Sequence, residues 1–137
     1  MTNNNLEVAK RFYNEVVNKG DSLVMKSIMS DNFIDHYASP TLPKGLEGFR
    51  VFIHMIATAF PDIHATVEDL FSDGNMITAR LTIEGTHTGV LLGNIQPTGK
   101  RAVWTGIDIL KIEDGIITER WSQRDLLGMM RQLGVVK

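Results

Sequence analysis

The chain reads as an α+β fold. Apolar residues recur at helical spacing over its first sixty positions and at strand spacing beyond them, and Asp-Gly turns divide that second part into hairpins. Leu6, Ala9, Phe12, Tyr13, Val16 and Val17 define a first amphipathic helix, for which Asn4 and Glu7 fit a capping box and Lys19-Gly20 a stop. Asp21 precedes a short second helix carrying Leu23, Val24 and Ile28, and the chain emerges from it through Asp31 to Tyr37. Pro40 and Pro43 keep the approach to Gly45 irregular. Leu46, Phe49, Ile53, Ile56, Ala57 and Phe60 give the third and cleanest helical stripe, which Pro61 ends, and His54 falls off it toward solvent.

Beyond Pro61 the period becomes two. Alternation from Ile63 to Glu68 and from Met76 to Glu84 around Asp73-Gly74 predicts one hairpin. Ala102 to Ile112 and Ile116 to Gln123 around Asp114-Gly115 predict another. Leu126, Leu127, Met130 and Leu133 then form a short C-terminal helix. The expected architecture is three N-terminal helices laid on one face of a curved sheet, with the last helix closing an end. Residues 85 to 100 fit neither period: the glycines suit a loop, yet Val90, Leu91, Leu92 and Ile95 need burial, over a pocket or in an interface.

The chain has 137 residues, 43% of them apolar, enough for a single domain spanning residues 1–137 and too few for two ordinary ones. A net charge of −2 supplies no basic surface for nucleic acid or an anionic membrane, so small neutral molecules or proteins are the expected partners. With no cysteine, disulfides, thiolate metal sites and a cysteine nucleophile are excluded. The N-terminal run Met1-Thr2-Asn3-Asn4-Asn5 lacks a leader pattern and no apolar stretch approaches bilayer length, which leads us to expect a cytoplasmic protein.

Few groups are placed for chemistry. If residues 117 to 125 form one strand, Ile117, Glu119, Trp121, Gln123 and Asp125 share a face, and Asp125 beside an indole is a base with a raised pKa if that face is internal. Asp is equally a favoured N-cap for the helix that follows. His36 is either a surface residue or a donor at a pocket mouth, and His87, set between Thr86, Thr88 and two glycines, stays open in the same way. Asp108 alternates with Trp104, Gly106 and Leu110 on one face, so it is functional or paired with a cation such as Arg80 or Arg120, although both arginines read as exterior. The four histidines are scattered and give no metal spacing. Residues 93 to 100 do not make a phosphate-binding loop, and no serine elbow is present.

Phe60-Pro61-Asp62, Gly85-Thr86-His87-Thr88-Gly89, Pro97-Thr98-Gly99, Asp114-Gly115-Ile116-Ile117 and Trp121-x-x-x-Asp125-x-x-Gly128-x-x-x-Gln132-Leu133-Gly134 resemble the SnoaL-like polyketide cyclase family over nearly the whole chain. The resemblance implies the nuclear transport factor 2-like fold, a cone-shaped α+β barrel of curved mixed or antiparallel sheet around an apolar cavity. It also implies an aspartate acid/base near the end of the sheet, acting in aldol ring closure without metal or cofactor, and a homodimer formed through the outer sheet face. Asp125 holds the matching position, and His36 and His87 occupy segments that border the cavity in relatives. Asp125, His36 and His87 are therefore the catalytic candidates, with Trp121, Trp104, Asp108, Phe60 and Phe49 as substrate contacts.

The function expected is a cofactor-independent cyclase or isomerase in which Asp125 removes a proton alpha to a carbonyl of a small apolar substrate held in an enclosed pocket, while His36 or His87 bonds the enolate oxygen. One alternative is epoxide-type hydrolysis by two aspartates bridged by an arginine, with Asp108, Asp125 and Arg80 or Arg120 as parts. The other is a non-catalytic ligand-binding or dimerisation domain.

Overall fold

The computed structural model describes residues 4–137; Met1, Thr2 and Asn3, part of the run read for a leader, lie outside the described residues. Helix α1 (Asn4–Arg11) continues into a π-helical turn (Phe12–Val17), then come α2 (Ser22–Ile28), strand β1 (Met29–Asp35) and α3 (Gly45–Ala59). Strands β2 (His64–Asp73), β3 (Met76–Thr86), β4 (Arg101–Glu113) and β5 (Ile116–Arg124) follow, and α4 (Leu126–Leu133) is last. The sheet order is β1-β5-β4-β3-β2, with β1 parallel to β5 and every other pair antiparallel. The expected helices and hairpins are present, and the emerging segment after α2 becomes an edge strand. No helix among the described residues is long and apolar enough to cross a membrane.

Each helix starts and stops for a local reason. Glu7 accepts from the Lys10 ammonium at 3.2 Å in the first turn of α1, and Asp21 caps α2 by accepting from the amides of Leu23 and Val24 at 3.0 and 3.1 Å. The π turn, closed by the Asn18 N–H on the Tyr13 carbonyl at 3.0 Å, widens the helix so that the consecutive Phe12 and Tyr13 are both fully buried. Phe12 stacks on Phe49 at 5.7 Å, and Phe33 meets Phe49 edge-on at 5.2 Å, which fixes α3 across β1. The sheet offers its inner face to this layer: Ile77, Ala79, Leu81 and Ile83 of β3 alternate inward, as do Ala102, Trp104, Gly106, Asp108, Leu110 and Ile112 of β4.

One irregularity decides the chemistry. Ile112 pairs with Ile117 but Lys111 pairs with Glu119, so Thr118 is an extra residue in β5. This bulge reverses the alternation beyond it. Ile117 is buried before the bulge, and Arg120 and Ser122 are buried after it, while Trp121 and Gln123 turn outward. Ile117 thereby parts from the face of Trp121 and Asp125, which looks outward, and the expected exterior placement of Arg120 is overturned.

The irregular residues 87–100 return to the end of α3. The amides of Thr88 and Gly89 donate to the Ala59 carbonyl at 3.1 Å each, and a Cβ on Gly89 would collide with the Thr58 carbonyl. Leu91 is buried there while Val90 and Leu92 remain exposed. At this same end of β4, where β5 has run out, the Gln132 side chain bonds both the N–H and the carbonyl of Val103, at 2.8 and 2.7 Å, and so takes the place of a neighbouring strand.

Candidate active site

The chemically dense part of the molecule is a polar cluster buried between the helices and the inner sheet face. Asp108, on β4, is fully buried and lies opposite Ser122 of β5. One carboxylate oxygen accepts from the Ser122 hydroxyl and from Arg124 Nη1, each at 2.5 Å. The other accepts from the Tyr13 hydroxyl at 2.7 Å and from Arg124 Nη2 at 3.2 Å. Arg120 joins this carboxylate to a second one. Its Nη2 and Nε bond Asp35 at 2.8 and 3.2 Å, and its Nη1 lies 3.9 Å from Asp108. Three rings enclose its guanidinium, those of Phe49, Phe52 and Tyr37, at 5.1, 5.5 and 5.7 Å.

Charge balance explains why such a cluster persists. Burial pushes the Asp108 carboxyl upward, but the Arg124 guanidinium, through charge and hydrogen bond, with Arg120 and Ser122, outweighs it and holds the group below the usual carboxylate range. Burial works against the Arg120 charge in turn, and Asp108 and Asp35 more than restore it. Burial and then the Asp108 charge raise Tyr13 well above an ordinary phenol, so its proton stays on. The cluster at neutral pH is therefore an ionised acid, two guanidinium cations and a protonated phenol. Tyr37 is half-buried beside it, and burial raises this phenol as well. Asp108 itself is closed off, whereas the Arg124 side chain retains 13% exposure.

The residues picked from the sequence fall into separate places. Asp125 is exposed at the N-terminus of α4, where it accepts from the Gly128 amide at 2.9 Å; a Cβ on Gly128 would strike its carboxylate. It borders an open depression of about 450 Å³ on the outer sheet face, with Arg80, Ile107 and Gln123, which corrects its expected place in an enclosed pocket. His36 and Trp121 do meet, stacked at 4.8 Å, but on that same outer side, where His36 Nε2 lies 2.8 Å from Glu119. His87 is fully buried inside with Phe60 at 5.5 Å, and Trp104 is 5.2 Å from Phe60. The catalytic trio is thus not assembled: the sheet separates His87 from His36 and Asp125.

Of the substrate candidates, Asp108 joins the cluster, Phe49 walls Arg120, and Phe60 and Trp104 line the interior near His87. Arg80 bonds Asp69 outside at 2.6 Å and has no part in the site. Sequence reasoning passed over Tyr13, Asp35, Ser122 and Arg124. The signal for Tyr13 was present, since a tyrosine on a buried helical stripe needs a partner for its hydroxyl. Among the described residues, no group of three or more acids or histidines is arranged to hold a metal ion.

Comparison with known proteins places this geometry. Residues 7–133 match the SnoaL-like polyketide cyclase family. Two similar relatives are the aklanonic acid methyl ester cyclases DnrD of Streptomyces peucetius, 32% identical over 66% of this chain, and DauD of Streptomyces sp. (strain C5), 29% identical over 81% of it. The matches span 63% and 67% of those enzymes' lengths. The structure of TsrD from Streptomyces laurentii superposes with a TM-score of 0.88 at 31% identity, covering 99% of both chains. A curved mixed sheet under a helical layer, built from these motifs, is the nuclear transport factor 2-like cone, and the chain belongs to the SnoaL-like polyketide cyclase family.

Proposed function

We propose that this chain is a cofactor-independent acid/base enzyme of the polyketide cyclase type, acting on a small apolar carbonyl compound at the Asp108 cluster. The observation that carries the reading is a fully buried, ionised carboxylate held by a phenol, a hydroxyl and a partly exposed guanidinium. Arg124 is the most exposed of these donors, so its displacement by substrate frees a lone pair of Asp108. Asp108 then takes a proton alpha to a carbonyl. The C–H pair becomes the carbon–carbon double bond and the carbonyl π pair moves onto oxygen, where the released guanidinium balances the enolate. The enolate carbon bonds to a second carbonyl carbon, and the proton returns from Asp108 to the new alkoxide, so that ring closure is a net isomerisation. A carboxylate with a lowered pKa is a weak base and suits a C–H activated by two carbonyls.

Aklanonic acid methyl ester, named for the relatives, is the first substrate to try. Asp108→Asn should lower turnover by about 10²-fold or more, the usual range for a positioned proton-transfer group. Asp125→Asn should leave turnover unchanged. The reverse pattern would return catalysis to Asp125 and overturn this assignment.

Hydrolysis remains a second reading on one observation: Arg120 bridges two aspartates, Asp35 and Asp108, in place of the pair expected from the sequence. Conversion of an aliphatic epoxide to a diol with incorporation of label from ¹⁸O-water, lost in Asp35→Asn, would favour it.

A homodimer through the outer sheet face fits the exposed Val103, Ile107 and Ile109, of which Ile107 lines the depression beside Asp125. Native mass measurement with Ile107→Lys tests this; a monomeric wild-type chain excludes it.

A further inference from the structure

Gly106 stands in the inward row of β4, and nothing in its own backbone asks for glycine. It is buried, it is not among the glycines of positive φ, and glycine inside a strand loses more chain entropy on folding than alanine does. The reason lies on the next strand. Gly106 pairs with Arg124 of β5, and a Cβ at position 106 would stand 2.6 Å from Arg124 Cδ, 2.7 Å from its Nη1 and 3.0 Å from the Gln123 carbonyl oxygen. Separations below 3.0 Å are closer than real Cβ atoms come, so the arm of Arg124 fills the volume that a side chain at 106 needs.

From that position the guanidinium reaches along β4 to Asp108. Nη1 donates to Asp108 at 2.5 Å and to the Ser122 hydroxyl at 2.7 Å, and Nη2 donates to Asp108 at 3.2 Å. The other groups around this carboxylate do not stand in for it. The Tyr13 and Ser122 hydroxyls carry no charge, Tyr37 is a protonated phenol, and Arg120 is bound to Asp35 of β1 and lies 3.9 Å from Asp108. From β3 and α3 come apolar side chains, Ala79 opposite Asp108 and Phe49 and Phe52 around Arg120.

We propose that Gly106 is a positioning residue for the Asp108 centre. Its missing side chain is a slot in which the Arg124 arm lies against the sheet, so that the guanidinium reaches Asp108 from the end of β5 and can lift away while the two strands stay paired. Its part in catalysis rests on the reading of Asp108 as the base. A side chain at 106 pushes the arm out and leaves the carboxylate with two neutral hydroxyls and the more distant Arg120. Asp108 then holds a proton more tightly, and the guanidinium no longer waits where the enolate oxygen forms.

Gly106→Ala in the full chain is the test, read by ¹³C NMR of the aspartate carboxyls, with the Asp108 signal identified as the one lost in Asp108→Asn. Burial raises the Asp108 pKa and Arg124 is the strongest of the influences that lower it, so the signal should titrate at higher pH in Gly106→Ala than in the wild type. Arg124→Ala should shift it the same way. Gly106→Ala added to Arg124→Ala should move it no further, because only the Gln123 carbonyl is then left to meet the new methyl group. An unshifted signal in Gly106→Ala, or a shift that adds in full to that of Arg124→Ala, overturns the proposal. If Gly106→Ala does not fold, Asp108→Asn/Arg124→Ala decides, since arm and buried charge are both gone. There Gly106→Ala should leave the urea midpoint unchanged or raise it, as alanine ordinarily does, and a lowered midpoint overturns the slot. On a turned-over substrate, kcat/KM of Gly106→Ala should fall by about 10²-fold, the cost of one lost donor to the developing oxygen charge. Its acid limb should move to higher pH, because the base acts unprotonated. The carboxyl titration needs no substrate: the expected shift beside full turnover in Asp108→Asn keeps the slot and discards the base, and no shift beside an inactive Asp108→Asn does the reverse.

Discussion

The phenolic hydrogen of Tyr13 is donated to the buried Asp108 carboxylate across 2.7 Å, joining the π-helical turn to the centre of the sheet. Hydrogen bonds to a charged group contribute about 1.5–3 kcal/mol. Tyr13→Phe should therefore lower the free energy of unfolding by that amount in urea titration. Because the phenol also helps to hold Asp108 in place, turnover should fall as well. A variant with wild-type stability and turnover would show the bond to be idle.

Acid should unfold the protein partly through Asp108. Its folded pKa is depressed, so the stabilisation is present above the ordinary carboxylate value near 4 and is lost as pH falls through the lower folded value. Urea midpoints measured from pH 7 down to pH 2.5 should decline steeply below pH 4 in the wild type. The decline should be shallower in Asp108→Asn, and parallel curves would contradict the assignment.

Asp125 should behave as a helix cap. Asp125→Ala is expected to remove about 1 kcal/mol, with a drop of a few degrees in Tm and no change in turnover on any substrate found. Gly128→Ala should also destabilise, since its methyl group meets the capping carboxylate.

The extra residue in β5 should be indispensable as a residue and indifferent as a side chain. Deleting Thr118 restores simple alternation and sends Arg120, Ser122 and Arg124 outward, leaving Asp108 buried without its cations, a loss of about 3–5 kcal/mol before any repacking. Thr118→Ser should fold normally. Circular dichroism with cooperative thermal unfolding distinguishes the two; a deletion variant that folds like wild type would remove the bulge from the argument.

The sequence by itself determined the order of helices and strands, the hairpin at Asp114-Gly115, the inward row Trp104, Gly106, Asp108 and Leu110, and the family motifs, because each depends on local period and turn chemistry. It also marked Asp125 as a helix start. Only the tertiary structure decided which face of β5 looks inward. Period-two reasoning carries no information about an inserted residue, and Thr118 shifts every side chain after it to the opposite face. The cluster itself was illegible for a related reason. Tyr13, Asp35, Asp108 and Arg120 lie in four separate elements, and Tyr13 and Asp108 are 95 positions apart. The pKa shifts of Tyr13, Asp108 and Arg120 arise from mutual burial, which no single segment contains. Local spacing made two acids visible, Asp125 and Asp108, and the family motif drew the reading to Asp125, while the partners that hold Asp108 ionised in a low-dielectric interior were fixed by packing across the whole fold.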